Sequence, residues 1–233
     1  DGSWISSRGA TLKMQRGLEG KDILRFPEAG AIRREFGSRG FSKLSGAIQR
    51  NGLNYLQSKI ERLLCQAKRR EFLMSQTDSS PRRMEVLSGR CMNGQKDILH
   101  LYHSPWLMKK LASLTGESIC ECPEKIENIV ITRLRKKGDI HGWHYDDFPI
   151  ALIMALRMPL DGEGGNLEMR TKMGDIESVR LETGDAYLMK SNEVYHRVSP
   201  LLRKSDRIIL NFTYSINGLV VKPNRTAYRL FLN

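Results

Sequence analysis

Short hydrophobic segments, alternating or continuous, dominate the second half of the chain. Each is about the length of one strand, and turn signals such as Asp161–Gly165 separate them. Eight such strands indicate a sandwich or barrel, and the jelly roll is the obvious eight-strand solution. The predicted strands are Ile126–Leu134, Ile140–Tyr145, Ile150–Met158, Asn166–Arg170, Ser178–Leu181, Ala186–Lys190, Val194–Val198 and Ile208–Tyr214.

The first half carries a weaker pattern. Apolar residues between Leu53 and Phe72 recur at the spacing of one helical face, which predicts a helix there. A second helix is predicted from Ser104 as N-cap and Pro105 at the first helical position, and Gly116 ends it. Residues 1 to about 45 predict a mostly irregular segment with one strand and one short helix.

The chain length of 233 residues suits one domain with a sizeable core. Within residues 1–233 we predict an N-terminal helical or irregular support region over 1–125. Residues 126–217 form the predicted β core, and 218–233 a C-terminal extension. The expected fold class is therefore mainly β with flanking helices.

Composition narrows the class of protein. Hydrophobic residues make up 40% of the chain and charged residues 27%, as in globular proteins. No apolar run reaches the roughly 18 residues of a membrane span, and no secretory signal is apparent. Four cysteines without a CxxC pair predict reduced thiols and a cytoplasmic location.

The net charge of +12 is compatible with nucleic acid, with an anionic surface or with small anionic ligands, and equally with a solvated basic surface. Nucleic-acid binding usually combines a basic patch with aromatic stacking residues. Here aromatic residues make up only 7%, and the lysines and arginines are spread along the chain. The sequence therefore favours a small-molecule partner over nucleic acid.

The chemistry concentrates in the run His141-Gly-Trp-His144-Tyr-Asp146-Asp147. Residues two apart on a strand share a face, so His144 and Asp146 can converge on one ion, and His196 can supply a third ligand. Two histidines and one carboxylate that leave three positions open are typical of non-haem Fe(II) oxygenases. A catalytic zinc site can use the same ligand types.

Arg207 favours iron over zinc. It follows His196 by eleven residues, at the start of a predicted strand. A guanidinium binds a carboxylate through two parallel hydrogen bonds. An oxo-diacid that chelates iron at one end requires such a partner at its other end.

His144-x-Asp146, His196 and Arg207 resemble the motif of the Fe(II)/2-oxoglutarate-dependent oxygenases. The resemblance covers roughly Ile126 to Tyr214 and implies a double-stranded β-helix, which is a jelly-roll variant. It implies Fe(II) as cofactor, with 2-oxoglutarate and O2 as cosubstrates. It also implies that 2-oxoglutarate is decarboxylated to succinate and CO2 while an unactivated C–H bond is oxidised.

The run His141-x-x-His144-x-Asp146-Asp147, with Glu127 upstream and Asn211-Phe-Thr213 after Arg207, resembles the small enzymes that halogenate or hydroxylate free lysine and related amino acids. In that family, the positions that match these residues and Arg82 contact the substrate. Carboxylates can receive a substrate ammonium, and a guanidinium can bind a substrate carboxylate. The alternative is that Glu127 is an exposed strand-start residue and Arg82 a solvated charge. The candidate substrate residues are Arg82, Glu127, His141, Asp147, Asn211 and Thr213.

Asp146 separates this chain from the halogenating members, which carry glycine at the carboxylate position and bind chloride there. With Asp146 present, the expected reaction is hydroxylation of a free amino acid or similar small charged metabolite. Desaturation and oxidative cyclisation begin with the same hydrogen abstraction and remain alternatives. A nucleotide or nucleic-acid substrate, or a non-enzymatic binding module with a structural metal site, is a further alternative.

Overall fold

The computed structural model describes residues 19–75, 79–171, 173–217, 219 and 225–231. Residues 1–18 of the predicted N-terminal segment, and most of the predicted C-terminal extension, lie outside the described residues. The helices are α1 (Gly20–Ile23), α2 (Ala29–Arg39), α3 (Arg50–Leu63), α4 (Lys96–Tyr102), α5 (Pro105–Thr115) and α6 (Arg225–Phe231), with 3-10 turns at Leu64–Gln66 and Gly89–Met92.

The strands form one large antiparallel sheet that curls around a central cavity. Its order is β1-β10-β7-β12-β5-β3-β6-β11-β8-β9, with β2 beside β3 and β4 beside β12. The strands are β1 (Phe41–Leu44), β2 (Lys68–Met74), β3 (Ser80–Leu87), β4 (Ile119–Glu121), β5 (Ile129–Leu134), β6 (Ile140–His144), β7 (Ile150–Arg157), β8 (Leu167–Arg170), β9 (Ile176–Val179), β10 (Ala186–Lys190), β11 (His196–Val198) and β12 (Arg207–Ile216).

The jelly-roll prediction is confirmed, and each of the eight predicted strands has a counterpart among β5 to β12. The continuous apolar run of β7 has a physical reason, because the strand is buried on both faces. One face packs into the main core with the helices through Ile150, Leu152 and Met154. The other face packs inside the barrel through Ala151 and Ile153.

The predicted helix Leu53–Phe72 is wrong in its C-terminal part. Helix α3 ends at Leu63, and Lys68–Met74 is a strand that pairs with β3 along its whole length. The apolar spacing changes after the helix, where Phe72 and Met74 lie two apart on the inward face. Strand pairing with β3 therefore overrides the helical pattern at this point.

The N-terminal segment contains more helix than the sequence predicts. Helix α2 has eleven residues, and Gly40 ends it in the left-handed conformation with φ of 70°. Only Phe36 of this helix is buried, which explains the weak periodicity. No helix in the described part of the chain is both long and apolar enough to cross a membrane.

Candidate metal centre and substrate cavity

Three side chains with metal-binding groups converge inside the barrel. His144 ends β6, and His196, which begins β11, is its direct partner in the sheet. Asp146 follows, and its Oδ1 lies 3.4 Å from His144 Nε2. One potential ligand atom from each residue lies within 4.8 Å of the other two. This arrangement could hold one metal ion.

The hydrogen bonds of His144 and His196 leave Nε2 of each ring available to bind a metal. His144 Nδ1 lies 2.7 Å from the Gly142 carbonyl oxygen, and His196 Nδ1 lies 2.8 Å from the Val194 carbonyl oxygen. A carbonyl only accepts, so each Nδ1 donates its hydrogen and each Nε2 keeps its lone pair. Backbone partners of this kind orient metal-binding histidines.

The protonation states also suit a metal. Burial, reinforced by His144, lowers the pKa of His196 to about 4, so its imidazole is neutral at pH 7. Burial alone would raise the pKa of Asp146, but the adjacent imidazoles of His144 and His196 lower it overall. A neutral imidazole and an ionised carboxylate are the forms that bind metal.

Asp146 reaches the site from outside the strand. Strand β6 ends at His144, so alternation along a strand does not position the carboxylate as the sequence argument assumed. The Asp146 backbone N–H instead donates to the Ser191 carbonyl oxygen at 2.9 Å. The Ser191 hydroxyl donates to the Phe148 carbonyl oxygen, also at 2.9 Å. These bonds hold the segment after β6 against the turn after β10.

A β-bulge explains why His141 faces the cavity although it lies three residues before His144. His196 pairs with His144 and Val198 with His141, so three residues of β11 (196–198) oppose four of β6 (141–144). The rings of His141 and His144 stack with centroids 4.0 Å apart. Burial, followed by the repulsion of His144, lowers the pKa of His141 well below its usual value.

Arg207 is completely buried at the start of β12 and lacks an acidic partner among the described residues. Its Nε donates to the Gly165 carbonyl oxygen at 2.9 Å, but Nη1 and Nη2 are buried without a hydrogen-bond partner. Burial lowers its pKa, yet a guanidinium stays charged at neutral pH. Two orphaned donors on a buried cation fit the carboxylate of a ligand such as 2-oxoglutarate.

All six candidate substrate residues line one cavity of about 300 Å³, together with His144, Asp146 and His196. This volume is at the lower end for ligand sites and suits a small molecule better than a polymer. Arg207 does not line this cavity, but it interacts electrostatically with two residues that do, Tyr187 and His141. The predicted substrate, metal and cosubstrate residues are therefore neighbours.

Arg82 is buried, not solvated. Its Nη1 donates to Ser80 Oγ at 2.7 Å and to the carbonyl oxygens of Gly142 at 3.1 Å and Pro81 at 3.3 Å, and burial lowers its pKa to about 10. All three acceptors are neutral, and the attraction of Asp146 offsets only part of the cost of burying the charge. The Gly142 carbonyl thus orients both His144 and Arg82, and a Cβ at Gly142 would lie only 2.7 Å from the Pro81 oxygen.

The cavity is also lined by two acidic side chains that are candidate substrate residues, Glu127 and Asp147. Glu127 is partly buried rather than exposed, and burial, then repulsion by Asp147 and Asp146, raises its pKa to about 8. Gly89 fixes the loop that carries Glu127, because a Cβ there would lie 2.1 Å from the Lys125 carbonyl oxygen. Glu127 and Asp147 therefore form an acidic part of the cavity that can bind a cation.

Several lining residues were not predicted. Tyr187 faces the cavity from β10, and strand alternation alone could have placed it there but gave no chemical reason to select it. Ala227, Leu230 and Phe231 come from α6. Their spacing of three and four is a helical signal inside the stretch that the sequence suggested only as an extension.

Solved structures with this architecture include non-haem α-ketoglutarate-dependent enzymes. The chain is similar to the non-haem α-ketoglutarate-dependent carbocyclase SnoK from nogalamycin biosynthesis, with 11% identity over 89% of each chain and a TM-score of 0.67. It is similar to the epimerase SnoN in complex with Fe3+, α-ketoglutarate and nogalamycin RO, with 12% identity over 83% of this chain and 85% of that one and a TM-score of 0.64. It is also similar to a Pseudomonas putida prolyl-4-hydroxylase, with 15% identity over 81% of this chain and 98% of that one and a TM-score of 0.53.

The fold is therefore that of the non-haem iron, 2-oxoglutarate-dependent oxygenases. A model of the family described as Halogenase D matches residues 27–173 and 170–224, most of the sequence, and the chain belongs to this family. No curated protein shows significant sequence similarity to it. The enzyme class and the cosubstrates predicted from the sequence, Fe(II), 2-oxoglutarate and O2, agree with the family and with the iron and α-ketoglutarate named for the SnoN complex.

Proposed function

We propose that the protein is an Fe(II)/2-oxoglutarate-dependent oxygenase that hydroxylates an unactivated C–H bond of a free amino acid with a basic side chain, or of a similar small charged metabolite. The observation that carries the proposal is that Arg207 Nη1 and Nη2 are buried without a hydrogen-bond partner, in a barrel whose cavity also holds the group His144, Asp146 and His196. His144, Asp146 and His196 hold Fe(II), and Arg207 binds the far carboxylate of 2-oxoglutarate. Bound iron and 2-oxoglutarate supply the oxidising power that removes a hydrogen atom from the substrate.

The remaining cavity residues bind and orient the substrate. Arg82 receives the substrate carboxylate, since the acceptors of its Nη1 hydrogen bonds are all neutral. Glu127 and Asp147 receive an ammonium group, and Asn211 and Thr213 on β12 complete that side of the cavity. His141 is neutral and buried with its Nε2 unpartnered, so it accepts or donates one hydrogen bond without adding charge. One guanidinium and two carboxylates favour a substrate with more positive than negative groups.

Asp146 supports hydroxylation over halogenation. A carboxylate at this position occupies the coordination site that the halogenating relatives leave for chloride. Desaturation or ring closure would begin at the same C–H bond, and only the product distinguishes them.

A product screen tests the proposed function. Enzyme loaded anaerobically with Fe(II) and 2-oxoglutarate is mixed with single amino acids or nucleotides and exposed to air. We expect succinate release coupled to a gain of one oxygen atom in a basic amino acid, with and without chloride. Loss of two hydrogens would indicate desaturation or cyclisation, and coupled oxidation of nucleotides alone would refute the amino-acid substrate.

The raised pKa of Glu127 gives a pH signature for substrate binding. Below about pH 8 the free protein holds a proton on Glu127, and an ammonium must displace it. Affinity for the amino acid should therefore tighten as pH rises towards 8, by up to about tenfold per pH unit. Bound Fe(II) offsets part of the repulsion from Asp146 and Asp147. In the iron-loaded enzyme, the affinity for the amino acid should therefore stop rising with pH at or below pH 8.

Glu127→Gln should weaken binding of the amine and remove this pH dependence. Titration calorimetry in two buffers of different ionisation enthalpy measures the proton release under anaerobic conditions. Glu124→Gln alters a nearby carboxylate that does not line the cavity and should keep the wild-type profile. Loss of Fe(II) from Glu127→Gln would contradict the assignment of Glu127 to the substrate.

A further inference from the structure

A second cavity, of about 260 Å³, lies beside the turn 190–194 between β10 and β11. The end of α2, the start of β1, the end of β8 and the start of β9 form its other walls. β1 and β9 are the two ends of the main sheet path, and Lys43 Nζ of β1 donates to the Arg180 carbonyl oxygen after β9 at 3.0 Å. The second cavity thus lies where the free edges of the sheet approach each other. No described residue lines both this cavity and the cavity of the proposed metal centre (the metal cavity).

Two of the three described cations that line the second cavity have anionic partners. Arg39 pairs with Glu177, which also lines the cavity, and Lys190 Nζ lies 3.5 Å from a carboxylate oxygen outside it. Arg170 and Glu193 also line the cavity and are exposed, and neither forms an ion pair with a described residue. One cation and one anion are therefore available to a bound molecule.

The available groups have defined surroundings. The Arg170 guanidinium lies over the rings of Trp143 and Tyr195, 5.6 Å and 5.7 Å from their centroids, and such contacts leave its N–H donors free. The neighbouring Thr171 also lines the cavity, and its Oγ1 is buried without a hydrogen-bond partner among the described residues. Met169 contributes an apolar surface. A guanidinium, a hydroxyl and a carboxylate beside an apolar surface are complementary to a small zwitterion.

The turn 190–194 also supports the metal centre. Its Ser191 carbonyl oxygen accepts the Asp146 N–H at 2.9 Å, and its Val194 carbonyl oxygen accepts from His196 Nδ1 at 2.8 Å. Two of the three proposed metal ligands therefore depend on the backbone of a turn that forms a wall of the second cavity. A molecule bound to Glu193 of this turn would restrain that backbone.

We propose that the second cavity binds a free α-amino acid and that the bound amino acid strengthens Fe(II) binding through the turn 190–194. The carboxylate of the amino acid pairs with Arg170, and its ammonium pairs with Glu193. The restrained turn holds Asp146 and His196 in place before the metal binds. The coupling rests on the proposed Fe(II) site, and it is independent of the substrate that the metal cavity oxidises.

The test of the site uses L-norleucine, with hexanoate and pentylamine as analogues that each keep only one of its two charges. Titration calorimetry on the whole chain should show that both analogues bind at least about tenfold more weakly than L-norleucine. Arg170→Gln and Glu193→Gln should each weaken L-norleucine binding by a similar factor. Arg180→Gln and Glu182→Gln change exposed residues outside the cavity and should keep the wild-type affinity.

The two substitutions also separate the two cavities, since L-norleucine bound in the metal cavity would not contact Arg170 or Glu193. Both residues are exposed, so the Tm of each variant should equal that of wild type. L-norleucine that binds both variants as tightly as wild type, or no better than hexanoate and pentylamine, would overturn the proposed amino-acid site.

Fe(II) titration under anaerobic conditions, with and without saturating L-norleucine, tests the coupling. L-norleucine should raise the Fe(II) affinity of wild type by at least about fivefold, the lower end of typical couplings between sites. The Fe(II) affinity of Glu193→Gln should not change, which also controls for any contact between free amino acid and iron. An unchanged Fe(II) affinity in wild type would overturn the coupling. If wild type binds no Fe(II) under either condition, the proposed metal centre fails instead.

Discussion

Replacing Asp146 with alanine should abolish substrate oxidation and weaken Fe(II) binding. In the proposed site, Asp146 is the one anionic ligand, since an imidazole binds a metal in its neutral form. Without it, two imidazoles must hold a divalent ion without a compensating charge in a largely buried site. Loss of an outer partner of a metal ligand already costs about 10- to 100-fold in affinity or activity, so loss of the ligand should cost more.

Two measurements check the Asp146→Ala variant. Fe(II) titration under anaerobic conditions gives the affinity, and coupled product analysis gives the rate. Asp175→Ala removes an exposed carboxylate from a turn far along the chain and should match wild type in both. Hydroxylated product from Asp146→Ala at the wild-type rate would remove Asp146 from the proposed ligand set.

The strands were predictable because their patterns are local. The β7 segment reads as a continuous apolar run, and turn residues such as Gly162, Gly164 and Gly184 adopt the positive φ that the glycine signals suggested. The apolar spacing predicted the wrong element where pairing with another strand decides the structure. The predicted helix extended to Phe72, yet residues 68–74 form a strand because β3 pairs with them.

The candidate site shows the same division. Residue chemistry and spacing identified His144, Asp146 and His196, which the fold does bring together. The mode of convergence was not predictable, because it depends on a bulge opposite β11 and on a hydrogen bond from Asp146 to Ser191, 45 residues away. Closure of the cavity by α6 likewise depends on packing against a distant sheet.

Replacing Arg207 with methionine should maintain or raise the stability of the ligand-free protein and weaken its binding of 2-oxoglutarate. Arg207 is a buried cation whose Nη1 and Nη2 have no partner among the described residues, so the ligand-free fold bears an uncompensated charge. An apolar side chain of similar length removes that cost and loses one hydrogen bond, to Gly165. Replacing buried charges with packed apolar residues is often neutral or stabilising by about 1–4 kcal/mol. The Tm of ligand-free Arg207→Met should therefore equal or exceed that of wild type.

Arg207→Met should, in contrast, weaken the binding of 2-oxoglutarate. Removal of one member of a buried, hydrogen-bonded charge pair costs about 2–5 kcal/mol, or roughly 30- to 5,000-fold in affinity. Wild-type protein should gain thermal stability with 2-oxoglutarate because the ligand binds only the folded state, and Arg207→Met should lose that gain. Arg203→Met replaces an exposed arginine and should retain it. A variant that is unstable without ligand yet still binds 2-oxoglutarate would mean that Arg207 supports the fold and another residue binds the cosubstrate.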